Sequence, residues 1–211
     1  MQDTAGPIAS TYAITNSGTI AATGGGTIRT YPYWYGTDVK YTDPAVGLSV
    51  STGNAVTGTI VNSGTIEATG ATAVAMLVTG TGLDLTNAGT IRGGTGTVLA
   101  ADDLLADTIG STLLAGAIQT VGSANDRIVN TGTIIGSIDL GSGDDAIENR
   151  GMIEGNVFLG AGDDSFLQRA DTMLIGTVDA GQGNDRLIVD ATVDGAINGD
   201  QFINFERFTQ I

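Results

Sequence analysis

Apolar and polar residues alternate in short runs along this chain, as in Ser137-Ile138-Asp139-Leu140, and glycine cuts the runs off every few positions. A period of two puts successive side chains on opposite faces of a strand, whereas an amphipathic helix needs apolar residues three and four apart. The pattern predicts many short strands and excludes helix where it holds. Strands this short cannot bury their apolar faces alone, so neighbours must cover them.

Two motifs organise the runs. Asn-x-Gly-Thr-Ile stands at 16–20, 62–66, 87–91 and 130–134, with the variant Asn149-Arg150-Gly151-Met152-Ile153. Gly-x-Gly/Ala-Asp/Asn-Asp stands at 122–126, 141–145, 160–164 and 181–185. Recurrence of this kind marks a repeat architecture. Counting from the first Gly gives coils 122–140, 141–159, 160–180 and 181–199, of 19, 19, 21 and 19 residues. Aligned, they show one apolar column at Ile128, Ile147, Phe166 and Leu187, and another at Ile138, Val157, Val178 and Ile197. A glycine column at Gly136, Gly155, Gly176 and Gly195 supplies corners, where a residue tolerant of positive φ lets the chain turn. Each coil reads as three strands and three turns, and coils stacked ~4.8 Å apart complete one another's hydrogen bonds.

The predicted fold is all-β: a single parallel β-helix, or β-solenoid, expected to be right-handed, with about 19–25 residues per coil over residues 1–211. Upstream motif spacings of 46, 25 and 43 residues fit two, one and two coils with loops. The end of the chain, 200–211, reads as a cap or transition segment.

Two segments break the texture. Residues 31–45 hold Tyr31, Tyr33, Trp34, Tyr35 and Tyr41, five of the six Tyr and Trp residues, and read as a protruding loop. Rigid amphipathic rings suit a binding surface for sugar rings or a protein partner; alternatively they fold back over the open end of the stack. Residues 100–114, with Asp102, Asp103 and Asp107 among Leu and Ala, read as a short helix or an apolar ladder under a loop.

Composition narrows the chemistry. The chain has no Cys and no His, which removes thiol nucleophiles, disulfides, zinc-type ligation and imidazole acid–base catalysis. Its net charge of −15 repels nucleic acid and favours cations as charged partners. No run of 18 apolar residues is present to insert into a membrane as a helix. Met1-Gln2-Asp3-Thr4 begins no signal peptide, so the chain reads as a mature or excised segment.

The Asn-x-Gly-Thr-Ile coils, the turns Leu-Gly-Ser-Gly-Asp-Asp and Leu-Gly-Ala-Gly-Asp-Asp, and the closing Phe202-Ile203-Asn204-Phe205-Glu206-Arg207-Phe208 resemble passenger domains of bacterial autotransporters and related surface adhesins. That resemblance implies an extracellular or cell-surface protein with a structural or adhesive role. Its partners would be a surface protein or glycan of a host or neighbouring cell, or further copies of itself. The closing segment would lead out of the solenoid toward an export barrel. The turns are also similar to the repeats-in-toxin nonapeptide, which implies calcium between coils, although here the turns recur on one side only. Asp126, Asp145, Asp164 and Asp185, flanked by Asp144 and Asp163, would be its ligands.

Without that resemblance, the same aspartates read as turn formers facing water. Asn62, Asn87, Asn130 and Asn149 read as a structural amide ladder. No Arg, Lys and carboxylate cluster converges on one strand, so a carbohydrate-active β-helix enzyme is a minor alternative. A self-assembling extracellular fibre is another.

Overall fold

The computed structural model describes residues 11–23, 28–31, 39–42, 45–51, 57–70, 73–94 and 115–211. The chain opens with β1 (Thr11–Asn16) and β2 (Thr19–Thr23), inserts an antiparallel pair, β3 (Ile28–Tyr31) and β4 (Val39–Thr42), and completes its first coil with β5 (Val46–Ser51). The second coil is β6 (Thr57–Asn62), β7 (Thr65–Thr69) and β8 (Val74–Thr79); the third is β9 (Asp84–Asn87), β10 (Thr90–Arg92) and β11 (Gly116–Val121). The fourth is β12 (Arg127–Asn130), β13 (Thr133–Ile135) and β14 (Ile138–Asp139); the fifth is β15 (Ala146–Asn149), β16 (Met152–Glu154) and β17 (Val157–Ala161). Then come β18 (Ser165–Arg169), β19 (Met173–Ile175) and β20 (Val178–Gln182), and finally β21 (Arg186–Asp190), β22 (Phe202–Ile203) and β23 (Arg207–Gln210).

Successive strands of a coil go to three different sheets, and the next coil adds one strand to each. The first sheet runs β1-β6-β9-β12-β15-β18-β21-β23, the second β2-β7-β10-β13-β16-β19, and the third β5-β8-β11-β14-β17-β20-β22. Every pairing within these three sheets is parallel, so the protein is all-β in the manner of a stacked parallel coil.

In-register pairing makes the core a set of columns. Ile14, Ile60, Leu85, Ile128, Ile147, Phe166, Leu187 and Phe208 succeed one another on the first sheet. Ile20, Ile66, Ile91, Ile134, Ile153 and Leu174 do so on the second. Most of these side chains are fully buried, each worth about 1.5–3 kcal/mol of hydrophobic stabilisation.

The third sheet corrects one expected column. Ile138, Val157 and Val178 stack as expected, but the next rung is Phe202 and not Ile197. The last coil adds no strand to the second sheet; a single 3-10 turn at Gly199–Gln201 delivers the larger Phe202 onto the column, 6.0 Å from the Phe166 ring. The glycine corner ends in the same way. Gly136, Gly155 and Gly176 have φ of 114, 146 and 131°, and a Cβ on Gly155 would lie 2.4 Å from the Gly136 carbonyl oxygen. Gly195 instead lies against the Ala170 carbonyl.

The upstream spacings are corrected too. Asn16, Asn62, Asn87 and Asn130 are direct neighbours, so each interval is one coil, and the long ones carry insertions. Both long insertions leave between the second and third sheets: residues 24–45 between β2 and β5, and 93–115 between β10 and β11. Tyr31 and Tyr41 fall on the inserted pair, whereas Tyr33, Trp34, Tyr35 and residues 100–114 lie outside the described residues.

Ile147→Asp places an unpaired charge in the sealed column and costs several kcal/mol, so its melting transition is lost or falls steeply. Val61→Asp, on an outward position with 42% exposure, leaves the melting temperature almost unchanged. Circular dichroism melts of the two variants check this.

Candidate functional site: the carboxyl column at the third-to-first corner

Each Gly-x-Gly/Ala-Asp/Asn-Asp turn links a strand of the third sheet to one of the first, and successive turns nest. Nesting depends on the second glycine: Gly162 has φ of 147°, and a Cβ there would lie 2.0 Å from the Gly143 oxygen of the coil before. A side chain at that position would push the coils apart.

Nesting brings Asp126, Asp145, Asp164 and Asp185 into one inner column, with exposures of 3, 1, 2 and 0%. The expectation that these aspartates face water is thereby overturned. Each carboxyl reaches back one coil. Asp126 N–H donates to Asp145 Oδ1, Asp145 N–H to Asp164 Oδ1 and Asp164 N–H to Asp185 Oδ1, each at 2.7 Å. Leu83 N–H donates to Asp126 Oδ1 at 2.6 Å, and Asp185 N–H to Glu206 Oε2 at 2.7 Å. The backbone donors that the corner leaves outside the strand ladders are thus taken up by carboxyl oxygens.

Asp144 and Asp163 form a second, exposed column with Asn125 and Asn184, and its bonds run the opposite way. Asp144 N–H donates to Asn125 Oδ1 at 2.9 Å, Asp163 N–H to Asp144 Oδ1 at 2.9 Å and Asn184 N–H to Asp163 Oδ1 at 3.1 Å. Each turn is therefore fastened to its neighbour in both directions.

The second carboxyl oxygens differ along the inner column. Asp126 Oδ2 accepts the Thr120 hydroxyl at 2.6 Å. The Oδ2 atoms of Asp145, Asp164 and Asp185 are buried with no hydrogen-bond partner. Strand register supplies the reason. Gln119, Asp139, Phe158 and Asp179 pair in sequence, so the positions just after them are Thr120, Leu140, Leu159 and Ala180, and only the first carries a hydroxyl.

Burial, with smaller contributions from the carboxylates of Asp126, Asp164 and Asp144, pushes the Asp145 carboxyl up to about 8. Burial likewise raises Asp126 and Asp164 to about 6, and Asp185 also shifts upward. Hydrogen bonds from Thr120 and from backbone N–H groups oppose these shifts without cancelling them.

A calcium site needs six to eight oxygen ligands around one point. The inner Oδ1 atoms already accept backbone N–H groups, and among the described residues no three acidic side chains gather as a metal-holding group. Among the described residues the acidic side chains alone do not assemble such a cage. Glu206, Thr120 and Asn125 escaped the sequence analysis. Glu206 had a legible signal, since it follows Asp185 by the same 21 residues that separate Asp185 from Asp164.

Comparison with known proteins finds no matching protein family, no similar curated protein and no similar solved structure.

Removing an inner carboxyl strands a buried N–H, so Asp164→Ala costs about 1–3 kcal/mol in urea unfolding at mildly acidic pH. The N–H released by Asp163→Ala is open to water, and that variant loses less than about 0.5 kcal/mol.

Proposed function

We propose that this chain is a non-catalytic structural and adhesive segment of a bacterial cell surface: a right-handed parallel β-solenoid similar to autotransporter passenger domains. The handedness follows the strong preference of parallel crossovers. One observation carries the functional reading. The three sheets stay in register from coil to coil, while both long insertions leave at a single corner, between the second and third sheets. An open groove lined by Ile135, Ser137, Glu154, Asn156 and Ile175 follows that corner. A stiff support that carries its two long insertions at one corner suits attachment to a surface protein or glycan of a host or neighbouring cell. The charge of −15 disfavours nucleic acid as a partner.

A second reading, an extracellular fibre built from copies of the chain, is favoured by the last coil. The in-register pairing that carries the first-sheet column as far as Phe208 would accept a further coil in the same register. The first coil of another copy, beginning that column at Ile14, would continue it.

Deleting residues 31–44 should leave the melting temperature nearly unchanged and abolish attachment of the purified chain to cells or glycan arrays. Undiminished attachment would remove that segment from the adhesive role. Electron microscopy separates the two readings. A displayed segment gives isolated rods; a fibre subunit gives filaments that Phe208→Asp disperses.

A further inference from the structure

The inner carboxyl column presents a physical problem. Three buried carboxyls in succession, Asp145, Asp164 and Asp185, each keep one oxygen without a hydrogen-bond partner. Ionised, each would hold a charge next to the same charge one coil away, in surroundings that solvate it poorly.

The groups facing the column offer little compensation. Asp145 has Asp126 and Asp164 on either side and Asp144 beside it. Asp164 has Asp145, Asp185, Asp144 and Asp163. Asp185 meets Glu206 and Asp163, and among the described residues the cation acting on it is Arg207. At the other end Asp126 is met by the Thr120 hydroxyl and the Leu83 N–H, and its charge raises the phenol of Tyr12.

A carboxyl can stay in such a place by being neutral. Its carbonyl oxygen still accepts the backbone N–H of the preceding coil, and the proton removes the charge from the oxygen that has no partner. We propose that the inner aspartate column is a proton-holding ladder that fastens the coils in mild acid and loosens as the medium turns alkaline.

The raised carboxyls set the direction and the window. Unfolded aspartate titrates near pH 4, so folding takes up protons above that value. The column's contribution to stability is full below about pH 4. It is lost as pH climbs through about 6 at Asp126 and Asp164 and about 8 at Asp145.

The test is a melting series on the full chain between about pH 5 and pH 8.5, with calcium and with chelator. Compared are the wild type, the double variant Asp145→Asn with Asp164→Asn, and Asp144→Asn as an exposed-charge control. The wild type should melt at least about 4 °C higher at the acid end. The double variant, which mimics the neutral carboxyl, should keep the acid-end stability and lose most of the pH dependence, while Asp144→Asn keeps it. A double variant with the full wild-type slope would overturn the proposal. So would calcium raising the wild-type melt at alkaline pH in a way the double variant abolishes, because a cation would then be neutralising the column. Infrared spectra give a readout independent of how the variants fold. Wild-type protein at neutral pH should show the carbonyl band of a buried protonated carboxylic acid, and its absence sinks the idea.

Discussion

Parallel in-register stacking at the strand spacing is the constraint on which the rest of this structure depends. Because each residue lies directly on its counterpart one coil away, a position has to suit a copy of itself as well as its own surroundings. Aliphatic residues satisfy this by packing, and they do so in the columns through Ile128, Ile134 and Ile138. Glycine satisfies it where the backbone must approach a backbone, as Gly155 approaches Gly136.

Polar residues satisfy it only if each can both give and receive along the axis. Asparagine does so with one side chain. Asn16, Asn62, Asn87, Asn130 and Asn149 each donate Nδ2–H to the side-chain oxygen one coil on, at 2.8 to 3.0 Å, until Gln168 closes the series on Thr172. These amides are buried and fully engaged, so the ladder adds hydrogen bonds without adding charge. Aspartate has no donor to offer when ionised, so its column borrows the backbone N–H of the neighbouring coil and leaves a second oxygen over. Both corners carry a polar ladder, yet only the aspartate one accumulates buried acid.

The three corners thus divide the work of the coil. Amides stack where the first sheet turns into the second, carboxyls where the third turns into the first, and glycines where the second turns into the third. Only the last of these admits long insertions. Among the described residues the glycine corner carries, before the last coil, a single side-chain link between coils, from Thr177 to Asn156 Oδ1, whereas an insertion at the other two would break a series of hydrogen bonds between coils. At the C-terminal end the second sheet stops at β19, where Gln201 Nε2 donates to the carbonyls of Leu174 and Gly176 at 2.9 Å. A side chain there substitutes for the missing strand.

The period-two runs and the recurring motifs determined that the chain is built of short stacked strands, which residues form the first-sheet core column, and that the asparagines make a ladder. Those features were legible because stacking writes the same residue type at the same place in each coil. The sequence did not determine coil count upstream, where insertions between Asn16 and Asn62 and between Asn87 and Asn130 imitate extra coils. Nor did it reveal that Phe202 replaces Ile197, since a coil that omits one strand breaks the spacing on which alignment rests. Above all, a Gly-Asp-Asp turn in solvent and one nested against its neighbours are the same string of letters. Only the tertiary structure, by bringing successive turns within hydrogen-bonding distance, decided that one aspartate of each pair is buried and its neighbour is left in water.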